Sequence, residues 1–320
     1  MPEPYTESLK STPDEVVLGY PPDSKFSHPK WQIVICLTCE KAKITIVRRH
    51  SGLGKHVLVA SSQDLAGVTM ADHLKNTGFA SAGKSHRSPH HKNVQLYIAS
   101  GNLLSLENLD DLYPDAGSFI FLSKHRSDSQ IPTLTCHCTG NFAADNPYGG
   151  NPQELAISYP SLQKGYLKAI TAARRRVPEY DVTIEATHHG PTSLKKPVLF
   201  VELGSSEKQW ADINAAAFMC DTLLGMLDGG IERCEQVGIA LGGTHYPTKF
   251  NKLLLESGFG LAAVASKHNL EAIDEQMLDQ MIEKSVEKVT HVVVDGKGLG
   301  SQKDRIMKIV EKSGLEIYKA

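Results

Sequence analysis

From residue 118 to near the C-terminus, short apolar runs alternate with longer amphipathic stretches. The apolar runs fall at 118–122, 181–187, 198–203, 237–241, 261–265 and 291–295, and helical patterning fills 161–176, 206–228, 248–258, 271–288 and 301–313. Strands that are apolar on both sides need covering on both faces, and a helix-length connection returns the chain to start a parallel neighbour. The alternation therefore predicts an α/β fold, three α/β/α layers around a largely parallel mixed sheet. Ser206 with Gln209 reads as a capping box for one long helix, closed by Gly229 and Gly230. Thr248 reads as the cap of the next helix.

Upstream, strand character appears at 32–37, 43–47, 56–60 and 94–99, while 76–93 reads as a Gly-, Ser- and His-rich loop and 123–151 as irregular chain. Residues 1–30 are charged and proline-bearing with no apolar stretch, and read as a loosely held arm before a single domain over 31–320. They form neither a secretory signal nor an organelle transit peptide, and no apolar run approaches the roughly 18 residues of a membrane span. A cytoplasmic protein without a membrane partner is expected. Lys and Arg number 34 against 36 Asp and Glu, a formal charge of −2. That balance speaks against a broad nucleic-acid-coating surface, and no DNA partner is expected. Six cysteines in a chain of this length need no disulfide framework. Cys36 and Cys39 have C-x-x-C spacing but overlap an apolar run, and read as small core residues.

In open α/β sheets, ligands collect beyond the carboxyl ends of the strands. His125 follows the run 118–122, with His137 in the irregular segment after it; His188 and His189 follow 181–187. His245 follows 237–241 through Gly242 and Gly243, Glu185 sits beside the histidine pair, and Glu202 ends the run 198–203. Imidazoles and carboxylates are the donors that hold Zn²⁺ with a position open for water, whose pKa the metal lowers to about 7. A neighbouring carboxylate then serves as ligand or general base. There is no H-E-x-x-H helix. If strand geometry continues through residues 188 and 189, their rings point to opposite faces, one a ligand and the other an orienter. Glu185 could equally hold a histidine tautomer.

The glycine-rich turn 295–301 offers backbone N–H groups to an anion but has neither dinucleotide nor Walker spacing. Lys297 lies in it and Lys267 on the same sheet edge. Arg174, Arg175 and Arg176 complement a helix C-terminus. No G-x-S-x-G elbow supports a serine nucleophile.

Five segments together carry a resemblance: Phe121-Leu-Ser-Lys-His125, Leu134-Thr-Cys-His137, Glu185-Ala-Thr-His-His-Gly-Pro191, Phe200-Val-Glu202-Leu-Gly204-Ser and Gly242-Gly-Thr-His245-Tyr246. In order and spacing the set resembles the D-aminoacyl-tRNA deacylases of the archaeal and plant type. The resemblance implies a fold akin to peptidyl-tRNA hydrolase and purine nucleoside phosphorylase, two zinc ions per chain and a monomer. It implies hydrolysis, by zinc-activated water, of the ester joining a D-amino acid to the 3′-terminal ribose of tRNA. By position, His125, His137, His188, His189 and His245 are the expected metal ligands. Glu185, His189, Glu202 and Lys267 are the expected catalytic groups, and Gly242, Gly243, Lys297 and Arg175 the contacts to the acceptor end. The chain departs from the family pattern in its first 30 residues, in 39–55 and in Phe259-Gly-Leu-Ala. The alternatives are another hydrolase on this fold, such as a peptidyl-tRNA hydrolase, or a non-catalytic binder of tRNA ends or nucleosides with a structural metal.

Overall fold

The computed structural model describes residues 55–82 and 85–320, and upstream of them the backbone of β1 (Glu15–Leu18), β2 (Ile33–Cys36) and β3 (Arg49–His50). β1 and β2 pair as an antiparallel ribbon. The expected strand at 43–47, most of the expected arm and Cys39 lie outside the described residues. The chain continues through β4 (Lys55–Ser61), α1 (Leu65–Asn76), β5 (Ala80–Ala82), β6 (Ser85–Arg87), β7 (Val94–Ala99), the single-turn α2 (Leu109–Leu112), β8 (Ala116–Arg126) and β9 (Thr133–His137). Next come α3 (Pro160–Ala173), β10 (Asp181–Ile184), β11 (Val198–Ser205), α4 (Glu207–Trp210) and α5 (Ile213–Gly229). The last part holds β12 (Ile231–Glu232), β13 (Gln236–Leu241), α6 (Thr248–Glu256), β14 (Phe259–Ala265), α7 (Glu275–Glu283), β15 (His291–Val294), α8 (Lys303–Lys312) and β16 (Glu316–Lys319).

The fold is α/β, as the alternation predicts, but its strands divide between two main sheets. One has the order β10-β9-β11-β8-β4-β7-β6-β5, the other β14-β13-β15-β16. In the first, β11, β8, β4 and β7 are mutually parallel, whereas β9 runs antiparallel to β11 and carries β10 with it. The second sheet is parallel throughout.

Side chains of β4, β8 and β11 alternate between two cores, which is why these runs are apolar on both faces. Leu58, Ile120 and Val201 pack under α1, α3 and α5, while Val57, Phe119 and Phe200 face the segment containing α2. Ile239, Ala263 and Val292 of the second sheet pack with α7 and α8; Ala240, Val264 and Val293 point the other way and join the first core. No helix among the described residues is long and apolar enough to cross a membrane.

Several sequence expectations change. Residues 133–137 are a strand, hidden by the polar Thr-Leu-Thr-Cys-His pattern but paired on both sides, to β11 and β10. The stretch 76–93 is not all loop: it holds the β5–β6 hairpin. The capping box at Ser206 exists but starts only α4; Asp212 then caps a separate helix by accepting from the N–H groups of Asn214 and Ala215. The helix expected over 271–288 is confined to Glu275–Glu283, capped by Asp274. Thr248 is the first helical residue of α6, with Pro247 in the cap position. α1 and β16 were not anticipated.

Candidate metal centre

The predicted ligands meet where strand direction reverses, between β11 and β9, and not along one carboxyl edge. His125 lies on β8 itself, opposite Gly204 of β11, and His137 closes β9 opposite Phe200. Glu202, within β11, falls between them. Its Oε2 is 3.6 Å from His125 Nδ1 and its Oε1 3.6 Å from His137 Nε2. Gly204 has no side chain for a local reason: a Cβ there would stand 2.5 Å from the Cβ of His125.

His245 follows β13, and Glu185, His188 and His189 come from the turn after β10, which is tied to both sheets. Glu185 N–H donates to Cys136 O (3.1 Å) and Gly140 N–H to His189 O (2.8 Å). On the other side Thr187 N–H donates to Val264 O (2.9 Å) and Ala186 N–H to His245 O (2.8 Å). His189 adopts φ = 46°, a left-handed conformation costly for a residue with a Cβ. Gly190 then passes so close to Gly150 and Leu104 that a Cβ would stand 2.3 and 2.4 Å from their main-chain atoms. Strand geometry therefore stops at Ile184, and the expectation that His188 and His189 face opposite ways fails. Their ring centroids are 4.3 Å apart, and those of His188 and His189 lie 4.1 and 4.8 Å from that of His137.

Each of these three imidazoles places Nδ1 against a main-chain oxygen: His137 on Cys138 (3.2 Å), His188 on Ala186 (2.8 Å) and His189 on Gly190 (2.7 Å). A carbonyl only accepts, so Nδ1 carries a hydrogen in each ring and Nε2 is the nitrogen left to face an ion. One ring nitrogen from each of the three lies within 4.8 Å of the others. His137 Nε2 is buried without a hydrogen-bond partner, the kind of orphan that a bound cation relieves. The donor set, three imidazoles oriented from behind, fits a zinc ion; burial works against the charged form of His137, but Glu202 raises its pKa above the ordinary value.

A carboxylate-rich group adjoins it. Glu185 Oε2 accepts from His245 Nε2 at 2.8 Å, and Oε1 stands 3.2 Å from His125 Nδ1. His125 Nε2 is 3.1 Å from the Tyr246 hydroxyl. The ligand atoms of His125, Glu185 and Glu202, and those of Glu185, His188 and His245, also cluster within 4.8 Å. Burial pushes the Glu185 carboxyl up, but His125, His245 and the nearby imidazoles outweigh it and hold it well below the usual range. Burial likewise raises Glu202, and His125 and His137 bring it below normal. Burial works against the imidazolium of His125, yet Glu185 and Glu202 raise its pKa to about 10. Burial, then the nearby His137, lowers His188 well below its ordinary value and His189 to about 4.

Glu185, His188, His189, Glu202 and His245 line an open cavity of about 970 Å³. His137 lies fully buried behind it. Gly242 (φ = 99°) and Gly243 (φ = 79°) stand outside the lining and turn the chain from β13 toward His245, packed on the 295–298 turn. Lys267 and Lys297 are exposed and away from the cavity wall. Arg175 is exposed ahead of the N-terminal end of β10, whereas the imidazoles follow its C-terminal end. The structure instead brings in groups the sequence reading missed. Asp64, Lys124, Arg126, Tyr148 and Tyr246 line the cavity. Lys124 and Arg126 flank His125 in sequence, and that adjacency was the available signal.

A family model described as D-aminoacyl-tRNA deacylase matches residues 112–318. A protein of Cenarchaeum symbiosum named D-aminoacyl-tRNA deacylase is 38% identical over 264 residues, 82% of this chain and 99% of its own length. One of the same name from Methanocaldococcus jannaschii is 34% identical over 272 residues, covering 82% and 98%. Among solved structures, the crystal structure of a conserved protein of unknown function aligns with a TM-score of 0.75 at 25% identity. That alignment covers 83% of this chain and 95% of the other.

Proposed function

Because the chain belongs to the D-aminoacyl-tRNA deacylase family, we propose that its cavity hydrolyses the ester between a D-amino acid and the 3′-terminal ribose of tRNA, with zinc as the metal. The products are the free D-amino acid and a tRNA ready for correct charging. The observation that carries the metal-assisted reading is the trio His137, His188 and His189, each with Nδ1 tied to a carbonyl and Nε2 left as a donor.

These three would hold one ion. His125, Glu185 and Glu202 form a separate group of donors for a second, which supports two ions per chain. Bound zinc supplies Lewis acidity and brings the pKa of a coordinated water near neutrality. Glu185, kept anionic in a buried position, would serve as the general base, and the Nε2–H of His245, donated to its Oε2, would orient that carboxylate. Glu202 faces His125 Nδ1 and His137 Nε2, each at 3.6 Å, on the side where the two ions would sit. Lys124 and Arg126, on the cavity wall, neutralise phosphates of the acceptor end. So short a grip suits a chain with a formal charge of −2. Rejection of L-aminoacyl esters falls to the shape of the cavity. Every group named comes from one chain, so a monomer suffices, working in the cytoplasm beside charged tRNA.

The deciding experiment presents D-Tyr-tRNA and L-Tyr-tRNA to the protein as purified, after chelation and after zinc is restored. D-selective release that chelation abolishes and zinc restores is expected. Absent or equal release from the two esters overturns the substrate; release undiminished after verified metal removal overturns the metal.

A further inference from the structure

A second cavity, of about 660 Å³, opens at the other end of β4. Lys55, the first residue of that strand, lines it, whereas Ser61, the last, lines the histidine cavity. At about 3.3 Å per residue the two ends are roughly 20 Å apart, so the cavities are separate sites.

Its wall contains a polar side chain that makes no hydrogen bond to the described residues. Gln95 is 8% exposed, and its side-chain amide has no hydrogen-bond partner among the described residues. An amide carries two donor hydrogens and an accepting oxygen, all available to a ligand in the cavity that Gln95 lines. The register places the other groups around it. Gln95 of β7 lies between Arg87 of β6 and Val57 of β4, with Tyr97 two residues along on the same face and Lys55 two residues before Val57. The half-buried rings of Tyr97 and Tyr113 meet edge to face with centroids 5.6 Å apart. Lys55 and Arg87 are exposed at the mouth, and neither has an ion-pair partner among the described residues. Asp115 stands on the rim.

These groups answer the three parts of a nucleotide. The tyrosines offer faces for a base, the Gln95 amide reads a base edge, and the two cations suit a phosphate. Asp115 can accept from ribose hydroxyls. We propose that this pocket is a second ligand site that binds a nucleoside monophosphate unit, either as a free nucleotide or as one residue of a single RNA strand. An inorganic anion would leave the tyrosines and the amide unused, and an apolar ligand would leave the amide and both cations unused.

The test is calorimetric titration of the full chain with AMP, CMP, GMP, UMP and inorganic phosphate, with a single-stranded tetranucleotide as competitor. Gln95→Leu and Arg87→Gln are the variants; neither residue touches the histidine cavity. Saturable binding of at least one mononucleotide is expected, weakened about tenfold by each substitution. Competition by the tetranucleotide identifies an RNA strand as the source, and failure to compete identifies the free nucleotide. No saturable binding, phosphate binding as tightly as the nucleotides, or binding that both substitutions leave intact overturns the proposal. The last outcome would place the nucleotide in the histidine cavity. If Gln95→Leu does not fold, Arg87→Gln, at an exposed position, decides alone.

Discussion

Glu185 is the side chain on which most of the site converges, meeting His125, His245 and His188 while only 2% exposed. Glu185→Gln preserves its volume and removes its charge. We expect the single-turnover rate on D-aminoacyl-tRNA to fall about 100-fold or more while the fold persists; a rate near that of the parent protein would remove Glu185 from proton transfer. Every histidine and carboxylate of this cluster was legible in the sequence, because those residue types beside glycines have few structural reasons to recur at strand ends. Their orientation was not legible. It depends on the left-handed backbone at His189 and on the close passage of Gly190, neither of which a periodicity argument can see. Lys124 and Arg126 were missed because a cation at a strand end looks the same whether it faces water or a substrate.

Single elements carry two further predictions. Asp212 caps α5 and also accepts from the Tyr180 hydroxyl at 2.9 Å. Asp212→Ala should therefore cost about 1–2 kcal/mol, seen as a lower urea midpoint with an unchanged slope. His56 of β4 is buried against Ser118 of β8 (2.8 Å), and burial lowers its pKa from 6.5 to about 4. The unfolded chain then binds a proton that the native one refuses, so stability is complete above pH 6.5 and declines as the pH falls toward 4. His56→Gln should flatten that decline between pH 6.5 and 4, and identical urea midpoints for both proteins across the window would refute it. Strands with all-apolar sequences were readable at this scale, whereas β9 was not, since its pairing and not its composition makes it a strand. Likewise nothing at Ala211 marks a helix break. Only the side chain of Asp212 turning back on Asn214 and Ala215 makes one.

At the level of the whole molecule, the sequence patterning could not show two sheets instead of one, because both present the same alternation. The turn after β10 and α3 contact both, so the site is also a seam. A ligand that binds only the folded state stabilises it by about 2.7 kcal/mol at a free concentration 100 times its Kd. Chelation should thus lower the melting temperature and zinc restore it, while His188→Ala melts low and ignores added zinc. Equal responses in both proteins would detach metal binding from this cluster. The seam also bears on how the family can drift. The oxygens that aim His137 and His188 belong to the main chain of Cys138 and Ala186, so those two side chains play no part in the aiming. Relatives can replace both residues and keep the imidazoles pointed, and a mutational scan would find the ligands while passing over what directs them.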